Sequence, residues 1–316
     1  MSKRIVLALG GNAISSGDHS GNIAEQFAQS RITAKHVADL ICSGRQVLLT
    51  HGNGPQVGTE LRRVELSRHE VYPLDLGLCV ANTQATMGYM LCQCLENEMK
   101  QRGETIRTCT IITTVIVDPA DEAFRRPTKP IGQVYDKKTI EERATTDAWN
   151  VVEIPGKGFR RVVPSPKPRA IDELPLIRKM FDEGTVLVAC GGGGIPVVER
   201  PGWGYEGVEA VIDKDLTAAL LAVGVEADTL AILTGVDKVC LNYGKPDEQP
   251  LDTLSVAEAR RHHAAGQFPP GSMGPKIEAC LNFVEKSPVP DAQAFITSVE
   301  GCEEAFAGKT GTRFTR

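Results

Sequence analysis

What these 316 residues lack narrows the reading first. There is no excess of basic charge: 35 Lys and Arg face 40 Asp and Glu, for a net charge of -5. No global positive field therefore recruits nucleic acid or an anionic membrane, and any polyanion site must be built locally. There is no long apolar run either. The longest uncharged stretch, 76–95, includes Asn82, Gln84 and Gln93 and reads as a buried or subunit-interface helix rather than a membrane span. The opening Met1-Ser2-Lys3-Arg4 imitates a signal peptide, but the apolar residues after it stop at Gly10 and no small-residue cleavage site follows. Among nine cysteines there is no C-x-x-C, and Cys92 and Cys94 are the only close pair. They read as reduced thiols in a cytoplasmic protein. Internal repeats and low-complexity segments are absent as well.

What is present is an alternation of strands and helices. Ile5 to Leu9 is apolar without a break, as in a strand buried on both faces of a parallel sheet, and Gly10-Gly11-Asn12 follows it. A helix is expected over 21–43, with Ile23, Phe27, Ile32, Val37 and Ile41 at helical spacing, then a strand over 46–50 running into His51-Gly52-Asn53-Gly54-Pro55. Helical stretches follow at 61–66 and 76–99, and a strand at 108–117. Residues 118–168 break the pattern with prolines and basic residues, including Arg125-Arg126-Pro127-Thr128-Lys129-Pro130 and Pro164-Ser165-Pro166-Lys167-Pro168. They read as an inserted flap on a single domain spanning 1–316. Beyond it come a helix at 171–182, a strand at 185–189, four glycines at 191–194, a helix at 215–223 and a strand at 230–233. Ser255 and Glu258 form a capping box, and a helix at 275–285 and a strand at 294–297 complete the pattern. This alternation predicts an α/β fold, a three-layer α/β/α sandwich around a mostly parallel open sheet.

Three of the strands end in glycine clusters: Gly10-Gly11, Gly52/Gly54 and Gly191 to Gly194. At one edge of one sheet they would line a crevice with backbone N–H groups, suited to phosphate or carboxylate. Two familiar phosphate motifs match imperfectly. Gly308-Lys309-Thr310 resembles the end of a Walker A loop, but Glu303 stands where the first glycine belongs. Gly52-x-Gly54-x-x-x-Gly58 is one residue off a dinucleotide fingerprint and has Pro55 in the turn, but Glu70 and Asp75 follow it, so an NAD(P)-dependent dehydrogenase remains an alternative reading. Lysines supply the positive charge. Lys214 lies between Asp213 and Asp215, either of which could cap the helix that follows. Lys276 follows Pro275, taken as the first residue of a helix, where a cation opposes the macrodipole unless an anion is bound there. Phosphoryl transfer needs positive charge on the migrating group and little covalent help.

These segments, with Leu9-Gly10-Gly11-Asn12-Ala13, Val211 to Asp215, Asn242-Tyr243-Gly244-Lys245-Pro246, Gly271-Ser272-Met273-Gly274-Pro275-Lys276 and Gly308 to Thr312, run in order along nearly the whole chain. Together they resemble the carbamate kinases of the amino-acid kinase family. The resemblance implies reversible phosphoryl transfer between ATP and carbamate, with Mg²⁺ as cofactor, in a cytoplasmic homodimer run toward ATP synthesis. It implies that Gly10, Gly11, Asn12, Gly52, Asn53 and Gly54 hold carbamate and the migrating phosphoryl group. Lys214 and Lys276 would neutralise phosphate oxygens, Asp215 would fix both ammonium groups, and Lys129 would reach in from the flap. Thr234, Asp237, Tyr243, Lys245, Met273 and Pro275 would cradle the nucleotide. Gly274 departs from the larger apolar residue usual in the family and implies a freer loop. Carbamate is already an anionic nucleophile, so no histidine need act as a base, and His51 reads as a hydrogen-bonding turn residue. Another acyl-phosphate kinase of the family, or a catalytically silent homologue, are the competing classes. The latter would be expected to lack Lys214, Asp215 or Lys276.

Overall fold

The computed structural model describes residues 3–11 and 21–316. Its frame is an eight-stranded sheet whose order is Thr253–Ser255, Thr312–Thr315, Gln293–Ser298, Thr229–Thr234, Arg4–Leu9, Gln46–His51, Val186–Val188, Thr108–Thr110. The six strands from Gln293–Ser298 to Thr108–Thr110 run parallel, and Thr312–Thr315 pairs antiparallel with Gln293–Ser298. The unbroken apolar run of the first strand has the reason expected of it. Side chains alternate across a strand, so Val6 and Ala8 enter one core while Ile5, Leu7 and Leu9 enter the other. Helices Leu174–Asp182, Lys214–Gly224 and Met273–Lys286 close the first core; Ile23–Cys42 and Leu76–Gln101 close the second. The result is the three-layer α/β/α arrangement.

Three expectations are corrected. The strand expected over 108–117 is two strands in two sheets: Thr108–Thr110 ends the main sheet, and Thr114–Val117 joins a four-stranded sheet with Gly204–Gly207, Ile195–Arg200 and Pro168–Ile171. Between them the side chain of Gln84 takes both backbone groups of Thr113, accepting from its N–H at 2.7 Å and donating to its carbonyl at 3.2 Å. The Thr113 carbonyl also accepts from the Ile195 N–H at 2.9 Å, so at this residue a buried amide takes over the N–H while the carbonyl already pairs with the smaller sheet. Ile171 ends a strand instead of opening a helix; it pairs with Val115, and the helix starts at Leu174. The helix at 61–66 begins earlier, at Gly54, inside the glycine motif itself.

Residues 129–163 form a separate three-stranded sheet in the order Lys129–Tyr135, Gly158–Val163, Asn150–Ile154, with the helix Lys137–Thr146. All nine cysteines are free, and no helix among the described residues is long and apolar enough to cross a membrane.

Candidate active site

Three adjacent parallel strands, Arg4–Leu9, Gln46–His51 and Val186–Val188, end at the same edge, which sets the three glycine clusters side by side. The backbone is tightly packed there. Gly10 N–H donates to the Leu233 carbonyl at 2.8 Å and Gly52 N–H to the Leu9 carbonyl at 3.0 Å. Gly192 has φ +66°, and a Cβ on it would lie 2.2 Å from the Asn53 amide nitrogen. Only glycine fits that position. Asn53 is itself held by its amide donating to Thr83 Oγ1 at 2.9 Å.

Over this edge stands the helix Lys214–Gly224. Asp213 is its N-cap, with Oδ1 accepting from the Asp215 N–H at 3.0 Å. Thr217 Oγ1 donates to the Gly193 carbonyl at 2.9 Å, tying the helix to the glycine loop. Lys214 lies across Gly52: the site of a Gly52 Cβ is 3.3 Å from Lys214 Cδ and 3.7 Å from the Gly11 nitrogen. Asp215 is 2% exposed. One of its oxygens accepts from Lys214 Nζ and the other from Lys276 Nζ at 2.9 Å. Burial alone would push the Asp215 carboxyl up, but the two ammonium groups hold it below the usual range. Burial also depresses Lys214 below an ordinary lysine, with Asp215 opposing the shift and Lys276 adding to it.

Lys129 opens the strand Lys129–Tyr135 of the inserted sheet, and its Nζ donates to Asp213 Oδ2 at 3.0 Å. It lines a cavity of about 260 Å³ with Gly52, Asn53, Gly54, Lys214, Asp215 and Lys276. Gly10 and Gly11 lie at the adjoining strand end, while Asn12 falls outside the described residues. Arg160 lines the same cavity and donates to the Gly132 carbonyl at 2.8 and 3.1 Å. Four cations thus face two carboxylates, Asp213 and Asp215, an excess suited to an oxyanion with about two negative charges.

A second cavity, about 310 Å³, lies on the C-terminal side, and Thr234, Tyr243, Phe268, Met273, Ser272 and Lys276 are among its walls. Asp237 and Lys245 lie exposed on the same segment as Thr234 and Tyr243, and Pro275 on the helix beside it, but none of the three lines the cavity. That helix is Met273–Lys286. Pro275 is therefore its third residue, not its first, and Gly274 is a buried helical position rather than a free loop. A Cβ on Gly274 would press on the Pro269 carbonyl at 3.1 Å. Ser272 and Lys276 line both cavities. A larger hollow, about 940 Å³ between Ile23–Cys42 and Leu76–Gln101, shares no residue with either.

His51 is fully buried, its Nδ1 lies 3.1 Å from the Gly52 carbonyl, and burial lowers its pKa to about 4. It is neutral at physiological pH. Sequence reasoning passed over Arg160, Ser272, Lys238 and Phe268 as cavity walls. For Ser272 the signal was its place in the Gly271 to Lys276 motif; for Arg160 it was the basic pair Arg160-Arg161, which reads equally as a solvated hairpin.

A model of the amino acid kinase family matches residues 3–290. The chain is 45% identical to carbamate kinase of Thermococcus kodakarensis, covering 99% of each chain. It is 43% identical to the carbamate kinase-like protein YahI of Escherichia coli over the full length of both. Carbamate kinase from Giardia lamblia bound to AMP-PNP superposes with a TM-score of 0.92 at 36% identity, covering 99% of this chain and 98% of that one.

Proposed function

Because the chain belongs to the amino acid kinase family, we propose that it interconverts ATP and carbamate with ADP and carbamoyl phosphate, in the cytoplasm and toward ATP synthesis. The observation that carries this reading is the junction at Lys276 and Ser272, which line both the nucleotide-side cavity and the cation-rich one. A group passed between ligands in the two cavities would cross beneath the Lys276 ammonium.

The chemistry asks little more. Carbamate brings its own anionic oxygen, so nothing need remove a proton from it. Lys214 and Lys276 would neutralise the equatorial oxygens of the migrating phosphoryl group, and Asp215, bonded to both, would fix their spacing before substrate arrives. Backbone amides at Gly11 and Gly54, with Asn12 and Asn53, would orient carbamate and the transferring phosphate. The N–H groups of Gly10 and Gly52 are taken by the Leu233 and Leu9 carbonyls, so these two glycines would serve by letting the ligand approach the strand ends closely. Lys129, on the inserted 118–168 flap, would cover the carbamate end. Thr234, Asp237, Tyr243, Lys245, Met273 and Pro275 would hold the nucleotide.

Mg²⁺ is the proposed metal, and it would supply positive charge to the nucleotide's phosphates. Both carboxylates of the cation-rich cavity are already paired with lysines. Among the described residues the one cluster of metal-type ligands, His36, Asp39 and Glu303, lines neither cavity. The side chains present therefore do not fit a resident ion, and Mg²⁺ belongs with the nucleotide's phosphates and water. A homodimer is the proposed assembly. The helix Leu76–Gln101 buries Leu91 and Leu95 within its own chain and leaves Leu78 and Tyr89 exposed for such a contact.

The test is ATP formation from ADP and Mg²⁺ with carbamoyl phosphate, acetyl phosphate or acetylglutamyl phosphate. Activity with carbamoyl phosphate alone is expected. Activity only with another acyl phosphate would overturn the substrate, and silence with all three would overturn the enzymatic reading.

A further inference from the structure

Asp213 lies next to the Lys214–Asp215 pair in sequence, and its two oxygens serve two different parts of the fold. Oδ1 caps the catalytic helix through the Asp215 N–H at 3.0 Å. Oδ2 accepts from Lys129 Nζ, also at 3.0 Å, 84 residues away in sequence. The carboxylate is mostly shielded while Lys129 is about one-third exposed, so the pair is more than a surface ion pair and less than a buried one.

The strand that carries Lys129 is held at both ends. At the far end the Tyr135 hydroxyl donates to Glu65 on the helix Gly54–Ser67. The inserted module is further anchored to that helix's end by Arg68, which grips Asp147 with two hydrogen bonds of 3.0 and 3.1 Å. These contacts fasten the module to the N-terminal half. The Lys129–Asp213 pair fastens the other end of the strand to the helix that bears Lys214 and Asp215. Without it, Lys129 would be a long cation facing Lys214, Lys276 and Arg160, and their repulsion would push it outward.

We infer that Asp213 is a positioning residue: it holds Lys129, and with it the inserted strand, over the cation-rich cavity before substrate binds. A lysine ammonium has three protons to donate. Lys129 keeps one on Asp213 and offers the others to an incoming oxyanion, so the strand need not be ordered at the moment of binding. The identity of that oxyanion rests on the carbamate kinase reading; the hold on the strand does not.

The test compares Asp213→Asn and Asp213→Ser with the unaltered chain, alone and combined with Lys129→Met. Both replacements keep an N-cap acceptor for the Asp215 N–H, so the catalytic helix stays capped. Neither keeps the charge for Lys129. The KM for carbamoyl phosphate should rise about fivefold, equivalent to about 1 kcal/mol, in both. The KM for ADP should not move, and neither replacement should add to the effect of Lys129→Met. Amide hydrogen exchange across 129–135 should quicken in Asp213→Asn. An unchanged KM, an equal rise in the Lys129→Met background, or unchanged exchange would overturn the inference. If the unaltered chain makes no ATP from carbamoyl phosphate, the functional reading falls and the exchange comparison alone decides the role of Asp213.

Discussion

The buried triplet Lys214–Asp215–Lys276 admits a demanding test, Asp215→Asn. The replacement keeps the size and one acceptor and removes the charge. In the native chain each carboxylate oxygen serves one ammonium, and the carboxylate is all but inaccessible to water. Asparagine can accept from one lysine, but its NH₂ then faces the other, so at least one ammonium loses its partner. Removing one member of a buried ion pair costs about 3–5 kcal/mol. Burial already depresses Lys214, with Asp215 opposing it, so removing Asp215 depresses it further. The pH dependence follows. Between the lowered folded value and the unfolded value near 10.5, the unfolded chain binds more protons, so stability rises with pH. The variant has the wider window, so its deficit should be greatest at pH 6 and shrink by pH 9. Guanidinium unfolding of both chains at the two pH values measures this. In ATP formation from carbamoyl phosphate, kcat should fall on the order of 10²–10³-fold, as when one oxyanion donor is lost. A deficit equal at both pH values, or kcat within tenfold of the native, would refute the picture of two ammonium groups held by one charge.

Three further outcomes are expected. Lys276→Met should lower kcat on the order of 10²-fold or more while moving either KM far less; a loss confined to the KM for ADP would make Lys276 a nucleotide contact only. Gly192→Ala must place a Cβ 2.2 Å from the Asn53 amide at φ +66°. It should cost at least about 2 kcal/mol in urea unfolding, and native stability would show that the glycine loop is not packed as described. His51 is neutral and buried with a folded pKa of about 4 against an ordinary 6.5. Its contribution is complete above pH 6.5 and is lost as pH falls toward 4, up to about 3 kcal/mol. His51→Asn should flatten the fall in stability between pH 6.5 and 4.5, and an unchanged slope would remove His51 as a source of it.

The parts of the fold legible in the sequence are those fixed by local pattern. Ile5 to Leu9 and the strand at 230–233 announce themselves because burial on both faces leaves no polar residue in them. Ser255 is recognisable as a cap from its immediate neighbours, whereas Asp213 and Asp215 are equal candidates in sequence and only the structure makes Asp213 the cap. The illegible parts depend on distant partners. Nothing in 108–117 signals that Gln84 intercepts Thr113 and ends a strand. Pro275 looks like a first helical residue because proline suits that position, yet the helix gains two residues before it, with Gly274 N–H donating to the Pro269 carbonyl at 2.8 Å. Lys214, Asp215, Lys276 and Lys129 were singled out from the sequence, and the structure brings all four to one cavity. The second use of Asp213 was not visible, since its partner is 84 residues away.

The position of the first strand explains why such a site can arise at this edge. Arg4–Leu9 has Gln46–His51 on one side and Thr229–Thr234 on the other, so the chain leaves it in one direction and returns much later on the opposite flank. Crevices in parallel sheets open at such a reversal. Here Gly10 leans on Leu233 of one neighbour while Gly52, from the other, leans on Leu9. The cation-rich cavity takes Gly52, Gly54 and Gly192 from the Gln46–His51 side and Gly271 from the segment before the helix Met273–Lys286, and the second cavity takes Thr234 from the opposite side. Two ligands bound at the two flanks would therefore meet over the end of the first strand, the one in the second cavity held by the C-terminal half and the one in the cation-rich cavity by residues of both halves. A side chain that serves both must come from above the sheet. Lys276, from the helix Met273–Lys286, does so, and its bond to Asp215 on the helix Lys214–Gly224 locks the two overlying helices to each other as well as to the site. Charge placement and helix packing are thus one constraint, and a substitution that disturbs either should register in both stability and turnover.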